Sequence, residues 1–301
     1  LKAEYAKLQE LIQHLNALLA SEVMRYEVIE NELVEIKEKY ADERRTRIIK
    51  MATEFNPEDM YADDDMVITI SHLGYIKRTP LADFRQQGRG GVGAKGSATR
   101  DEDFIEYVHQ ANMHSTMMFF TEQGRLYWTK VYELPEGNRQ SKGRALQNMI
   151  NIQKGDKVCA FIHVKNLNDL EYVQNHYLIF ATKDGLMKKT TLESYSRPRA
   201  NGIIALGLRE GDRLIRVTLT DGNSQMLVAS YNGKVVRFPE DSVRPMGRTA
   251  TGVRAIKLDE DGQDRVIGMI CVEEDSKESV LVISEKGYGK RTDLNDENGE
   301  A

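Results

Sequence analysis

The sequence predicts a mostly β protein: a propeller-like ring of blades, each of about fifty residues and four strands, preceded by an α-helical coiled-coil segment. Three observations predict it. A hairpin signature recurs five times along residues 66–294, a Gly-led element recurs between the hairpins, and the first fifty residues carry a heptad pattern instead.

The helical part comes first. Leu1, Tyr5, Leu8, Ile12, Leu15 and Leu19 step alternately by four and three residues, which is a heptad seam. Ala20-Ser21 interrupts it, with Ser21 suited to cap a second helix, and Ile29, Leu33, Ile36 and Tyr40 resume the stepping. Two helices with one narrow apolar stripe each either fold on one another or need a partner, and the pattern alone does not choose. Asn56-Pro57 and the acidic run 58–65 read as a linker. The chain thus divides into a helical segment 1–50, an acidic linker 51–65, a β domain 66–294 and an acidic tail 295–301.

Each hairpin is a β-branched apolar run, a turn ending in Gly, and a second short run carrying basic residues. The copies are 66–71 with 74–79, 116–121 with 124–130, 177–182 with 185–190, 226–230 with 233–237, and 280–284 with 287–292. Their turn glycines, Gly74, Gly124, Gly185, Gly233 and Gly287, lie 50, 61, 48 and 54 residues apart. Between hairpins, Gly143-Arg144-Ala145-Leu146, Gly202–Leu206 and Gly252–Ile256 each lead through a Gly/Asp turn to another apolar strand, 158–164, 214–219 and 266–272. About four strands per repeat is one propeller blade. A β-sandwich is the alternative, and the near-regular period favours radial repetition.

Composition narrows the function classes. The 301 residues hold two cysteines, Cys159 and Cys271, too few for a disulfide framework and suited to a reducing, cytoplasmic setting. No apolar run approaches the ~18 residues of a membrane span. The six histidines have no metal-ligand spacing, and Asp63-Asp64-Asp65 reads as solvated linker, so no metal is assigned. The net charge of −5 hides an asymmetry: residues 1–50 carry −1, residues 51–65 carry −6, the last nine carry −4, and residues 66–292 carry +6. A basic middle between acidic segments points to a polyanionic partner.

Gly91-Val92-Gly93-Ala94-Lys95-Gly96 matches the dinucleotide string GxGxxG, but neither an apolar strand before it nor a helix after it supports nucleotide binding. It reads instead as a basic Gly-rich loop, inserted once among the repeats, whose backbone can approach phosphate closely. The hairpin cations are phase-locked: Lys77-Arg78, Lys188-Lys189, Arg237 and Lys290-Arg291 fall three or four residues after their turn glycine, and Lys130 six after its own. Equivalent positions in equivalent blades face one way, so these charges are expected to form an outward belt for duplex DNA, read without sequence preference. Tyr127, Trp128 and Val235 between them read as core rather than as stacking platforms.

These residues resemble the C-terminal domain of the A chain of DNA gyrase. The family's box reads Gln-Arg-Arg-Gly-Gly-(Lys/Arg)-Gly, and Gln87, Arg89, Gly90, Gly91 and Gly93 match it; Gly88 and Val92 depart, with Lys95 just downstream. The segment 35–46 resembles the family's returning coiled-coil helix. The resemblance implies a β-pinwheel of strand-swapped blades whose basic rim wraps DNA, within an ATP-dependent type IIA topoisomerase that introduces negative supercoils. It implies a box of Gln87, Gly88, Arg89, Gly90, Gly91, Gly93 and Lys95. It implies no catalytic residue and no cofactor in this chain, ATP and Mg2+ being expected on a gyrase B subunit that joins a homodimer of gyrase A in a heterotetramer. The family's ring has six blades and its cleavage tyrosine lies in a preceding domain, so this chain is expected to be a fragment, inactive alone. The corresponding DNA-cleaving subunit of topoisomerase IV and a protein-binding propeller are the other readings.

Overall fold

In the computed structural model the described residues are 1–46, 56–84, 88–90, 97–259, 262–273 and 276–294, and the chain falls into two compact units, 1–55 and 56–301. The first holds α1 (Lys2–Ala20) and α2 (Glu22–Tyr40), broken at Ser21, which turns extended and whose hydroxyl accepts from the Met24 amide at 3.4 Å. Neither helix buries a residue. Leu1, the five seam residues within α1 and the four of α2 are exposed, so the stripes are not buried as a self-folded hairpin.

The second unit is built of antiparallel strands: β1 (Asp65–Ser71), β2 (Tyr75–Pro80), β3 (Ile105–Asn112), β4 (Thr116–Thr121), β5 (Arg125–Lys130), β6 (Arg144–Ala145), β7 (Val158–Val164), β8 (Tyr177–Thr182), β9 (Leu186–Thr191), β10 (Ile203–Ile204), β11 (Leu214–Thr220), β12 (Ser224–Ser230), β13 (Val235–Pro239), β14 (Val253–Arg254), β15 (Val266–Glu273), β16 (Ser279–Ile283) and β17 (Gly289–Asp293). They form sheets β3-β1-β2-β6, β7-β4-β5-β10, β11-β8-β9-β14, β15-β12-β13 and β16-β17. This is a propeller-like set of four blades followed by a fifth hairpin. The fourth strand of a blade is not its own: β6, β10 and β14 each cross from the following repeat to pair with the hairpin before them.

The apolar runs are continuous because both faces of a blade are covered. Met66, Ile68 and Ile70 of the first blade meet Met117 and Phe119 of the second. The opposite face of the second, Met118 and Phe120, meets Leu178 and Phe180 of the third. Ile179 and Ala181 then meet Met226 and Val228 of the fourth. Alternate residues of β4 and β8 thus belong to different layers, and neither strand presents an exposed face. The inner strands lie side by side: the Tyr107 ring of β3 is 4.8 Å from Phe161 of β7, and β11 packs against both β7 and β15.

The acidic run is not a free linker. Pro57–Met60 form a 3-10 turn; Glu58 pairs with Lys130, Asp63 accepts from the His114 amide at 3.1 Å, and Tyr61 stacks on Tyr132 at 5.0 Å. Charge compensation by Lys130 and ring burial draw the segment onto the second blade.

Candidate nucleic-acid interface

The hairpin cations do not form an outward belt. Lys77, Arg78, Lys188 and Lys189 are 2%, 6%, 0% and 5% exposed. The reason is the strand swap. The crossing strand and the loop leading to it cover the second strand of the preceding hairpin, which sequence alone presents as a blade edge. The Lys77 amine donates to Asn138 O at 2.8 Å and Ser141 O at 2.9 Å. The Lys188 amine donates to Ala205 O at 2.5 Å and Arg248 O at 2.6 Å. Burial pulls the Lys188 amine down to about 7, and the nearby Arg248 guanidinium adds to the effect.

The residue four after each turn glycine reaches into the next blade. Arg78 Nε donates to Leu134 O at 2.8 Å and its guanidinium pairs with Glu136 at 3.1 Å. Trp128 Nε1 donates to Tyr195 O at 3.1 Å. The Lys189 amine pairs with Glu240, and Arg237 donates to Leu294 O. Three kinds of side chain, arginine, tryptophan and lysine, therefore serve as one kind of blade-to-blade latch at four positions.

Of the remaining sequence-predicted residues, Lys130 is half-buried on Glu58, while Arg237, Lys290 and Arg291 are exposed. Gly88, Arg89 and Gly90 are exposed, Gly90 with φ +76. Gln87, Gly91, Gly93 and Lys95 lie outside the described residues. Tyr127 is buried and Trp128 packs against the second layer, but Val235 is 41% exposed, against the core reading.

Besides Arg237, Lys290 and Arg291, a set of charges that face water sits in the crossing loops, which sequence periodicity does not single out. Each loop runs from a 3-10 turn after the hairpin to a glycine that opens the swapped strand. Arg139 is half-buried, and Lys142 and Arg144 are exposed in the first loop, Arg197 and Arg199 in the second, and Arg244, Arg248 and Arg254 in the third. Across residues 134–145, 195–204 and 243–256 there are eight basic side chains and one carboxylate, Glu136, which Arg78 already neutralises. That imbalance is the signal in the sequence that could have found them.

Glycine fixes where these loops enter. A Cβ on Gly143, Gly202 or Gly252 would lie 2.6, 2.7 or 2.3 Å from Ile76 O, Leu126 O or Met187 O, and all three residues have positive φ. The Gly-rich box occupies the same place in the first repeat, between the 3-10 turn Leu81–Asp83 and the inner strand β3. Its downstream flank joins the next crossing loop, because the Ala98 amide donates to Arg139 O at 2.9 Å.

A strand-swapped propeller whose crossing loops carry cations with no unpaired carboxylate defines a class of proteins suited to a polyanion. The family model for the "DNA gyrase C-terminal domain, beta-propeller" matches residues 65–112, 115–165, 176–221, 225–273 and 278–296, and this chain belongs to that family. It is 41% identical over 297 residues to the gyrase A protein of Staphylococcus epidermidis and, equally, of Staphylococcus aureus, covering 98% of this chain and 33% of each relative. The chain therefore spans about a third of the length of those relatives. Among solved structures it is similar to the C-terminal domain of DNA topoisomerase IV, with TM-score 0.64 and 28% identity over 77% of this chain and 68% of that one. The DNA gyrase A C-terminal domain shares the fold, with TM-score 0.58 and 23% identity over 77% and 72%. No described helix is long and apolar enough to cross a membrane.

Proposed function

We propose that this chain binds duplex DNA without sequence preference along the crossing loops, and bends it around the blades as the C-terminal part of a gyrase A protein. The observation that carries this reading is the set of eight loop cations against one internally paired carboxylate. Phosphates are uniform along a duplex, so cations repeated at equivalent loops suit the backbone and no base-reading element is needed. Bending stiff duplex costs on the order of 1–6 kcal/mol per site of a few turns, so contacts must recur along the arc. Exposed Arg89, upstream of an Ala98 amide that donates to Arg139 O, adds a fastening point.

In the whole enzyme this bend would present a crossing to the cleavage gate of the gyrase A dimer, with ATP and Mg2+ on the B subunit driving strand passage. The likeness to the topoisomerase IV domain keeps a second reading, a DNA-cleaving subunit that decatenates. Joined to a cleavage core and its ATPase partner, a gyrase chain introduces negative supercoils and a topoisomerase IV chain unlinks circles without doing so.

Filter binding of the chain to two unrelated duplexes between about 50 and 200 mM salt tests the reading. Each phosphate neutralised contributes about −0.9 to the slope of log K against log[salt], so roughly five to eight contacts give about −5 to −7. A slope shallower than about −2, or preference for one duplex, overturns it.

A further inference from the structure

Lys77 and Lys188 occupy the same place in their repeats, three residues after Gly74 and Gly185. Both are buried, and among the described residues neither amine meets a carboxylate. A lysine withdrawn from water without a counter-ion is costly, and here the compensation is a cage of carbonyl oxygens. The carbonyls come from the crossing loops. Lys77 takes Asn138 O and Ser141 O, which flank Arg139 and precede Lys142. Lys188 takes Arg248 O at 2.6 Å and Gly247 O at 3.5 Å, and joins these to Ala205 O and the Tyr195 hydroxyl of the preceding crossing. Lys188 therefore grips the backbone of Arg248 itself, and Lys77 the backbone on either side of Arg139 and next to Lys142.

The second blade has Tyr127 at that position and solves the problem differently. Its ring packs under Gly202, its hydroxyl accepts from Arg125 Nε at 3.2 Å, and Arg125 Nη2 donates to Asn201 O at 2.9 Å. There too a cation holds a loop carbonyl, two residues beyond Arg199. Three blades reach one outcome by two chemistries, which argues against incidental burial.

We propose that Lys77 and Lys188 are positioning residues for the DNA-facing loops: internal amines that hold Arg139, Lys142, Arg244 and Arg248 in place without themselves touching phosphate. This rests on the DNA-binding reading above. A short loop bearing cations must be ordered to place them at the phosphate spacing, and fixing it beforehand removes that cost from binding. Lys77 spends two of its three donors on loop carbonyls and Lys188 at least two, and at 0–2% exposure no phosphate oxygen reaches either amine.

The experiment compares the chain with its K77M, K188M and R139A/K142A variants. Hydrogen exchange without DNA reads loop order, and duplex affinity against salt reads phosphate contacts. K77M is expected to exchange about ten-fold faster at residues 138–143 and K188M at 247–252, with blade strands unchanged. Each is expected to bind duplex about ten-fold more weakly at an unchanged salt slope. R139A/K142A is expected to lose about 0.9 of slope per cation with loop exchange unaltered. Should methionine unfold the chain, K77Q, which keeps an uncharged donor, is expected to fall between parent and K77M in exchange. Unchanged loop exchange in the folded variants, or a slope shallower by about 0.9 in K77M, overturns the proposal. If the parent chain does not bind duplex, the DNA reading fails and the proposal with it, whereas parental binding with unaltered K77M and K188M exchange sinks the proposal alone.

Discussion

Lys189 and Glu240 form an ion pair of 2.9 Å with both side chains almost wholly withdrawn from water, one from the third blade and one from the fourth. Glu240 also accepts from the Thr220 hydroxyl at 2.6 Å and the Ser224 amide at 3.3 Å, and the Lys189 amine lies 4.2 Å from the Tyr177 ring centroid. The pair thus adds a buried ionic weld to two sheets that also meet through apolar side chains and backbone hydrogen bonds such as Val266 N–H to Lys183 O.

Removing one member leaves the other charged in a dry place. K189M is expected to destabilise the chain by about 3–5 kcal/mol, whereas K189M/E240L should recover most of the loss. Urea unfolding of the two variants checks this; equal losses would show that no coupling exists.

The Lys188 amine, lowered to about 7 from its ordinary 10.5, links stability to pH. Between about 7 and 10.5 the unfolded chain holds a proton that the folded chain has released, so stability gains from this group as pH rises through that window. The charged, buried form below about 7 carries the full cost. Urea midpoints at about pH 7 and pH 9 should therefore climb more in the parent than in K188M. Parallel behaviour of the two would remove Lys188 from the account.

At Gly252 a methyl group would meet Met187 O at 2.3 Å while the backbone holds φ +97. G252A is expected to cost at least about 1–3 kcal/mol and to loosen the pairing of Val253 with Met187. Faster exchange confined to β9 and β14 would report it; a neutral substitution would show that the crossing enters by another route.

How much of this was legible in the residues differs from element to element. The five hairpins fall where the Gly turns and β-branched runs put them, because a strand covered on both faces must be apolar throughout, as Met117–Phe120 are. The inner strands β7, β11 and β15 were equally visible. The ownership of the fourth strand came only with the family resemblance and not with the residues: Arg144-Ala145 is two residues long, and nothing in it says that its partner is Tyr75-Ile76 of the repeat before. That one topological fact turned Lys77 and Lys188 from surface to interior. The periodicity of their charge was real, and in the fold both amines sit among loop carbonyls.

Both thiols should be inert. Burial pushes Cys271 up to about 12 and Cys159 higher still, so at about pH 8 neither supplies thiolate. Alkylation of the native chain should be slow and should reach two equivalents only in denaturant. Rapid modification of either thiol in the folded chain would contradict its packing.

Paired loss of Arg197 and Arg199 should weaken duplex binding about equally for all sequences. The salt slope should become shallower by about 1.8, since two phosphate contacts would be lost. A change in sequence preference would instead place these side chains at base edges.

A blade completed by its successor also imposes a schedule on synthesis. The hairpin ending at Pro80 waits for Arg144, and the one ending at Thr191 waits for Val253. At roughly 5–20 residues per second the ribosome needs several seconds to supply those ~60 residues. Throughout that interval an apolar, half-paired sheet stands with one open edge. Chain elongation, rather than any intrinsic closure rate, then sets how fast each blade can shut, and a pause placed between Lys130 and Arg144 would prolong the life of a first blade still open on the side of Tyr75 and Ile76.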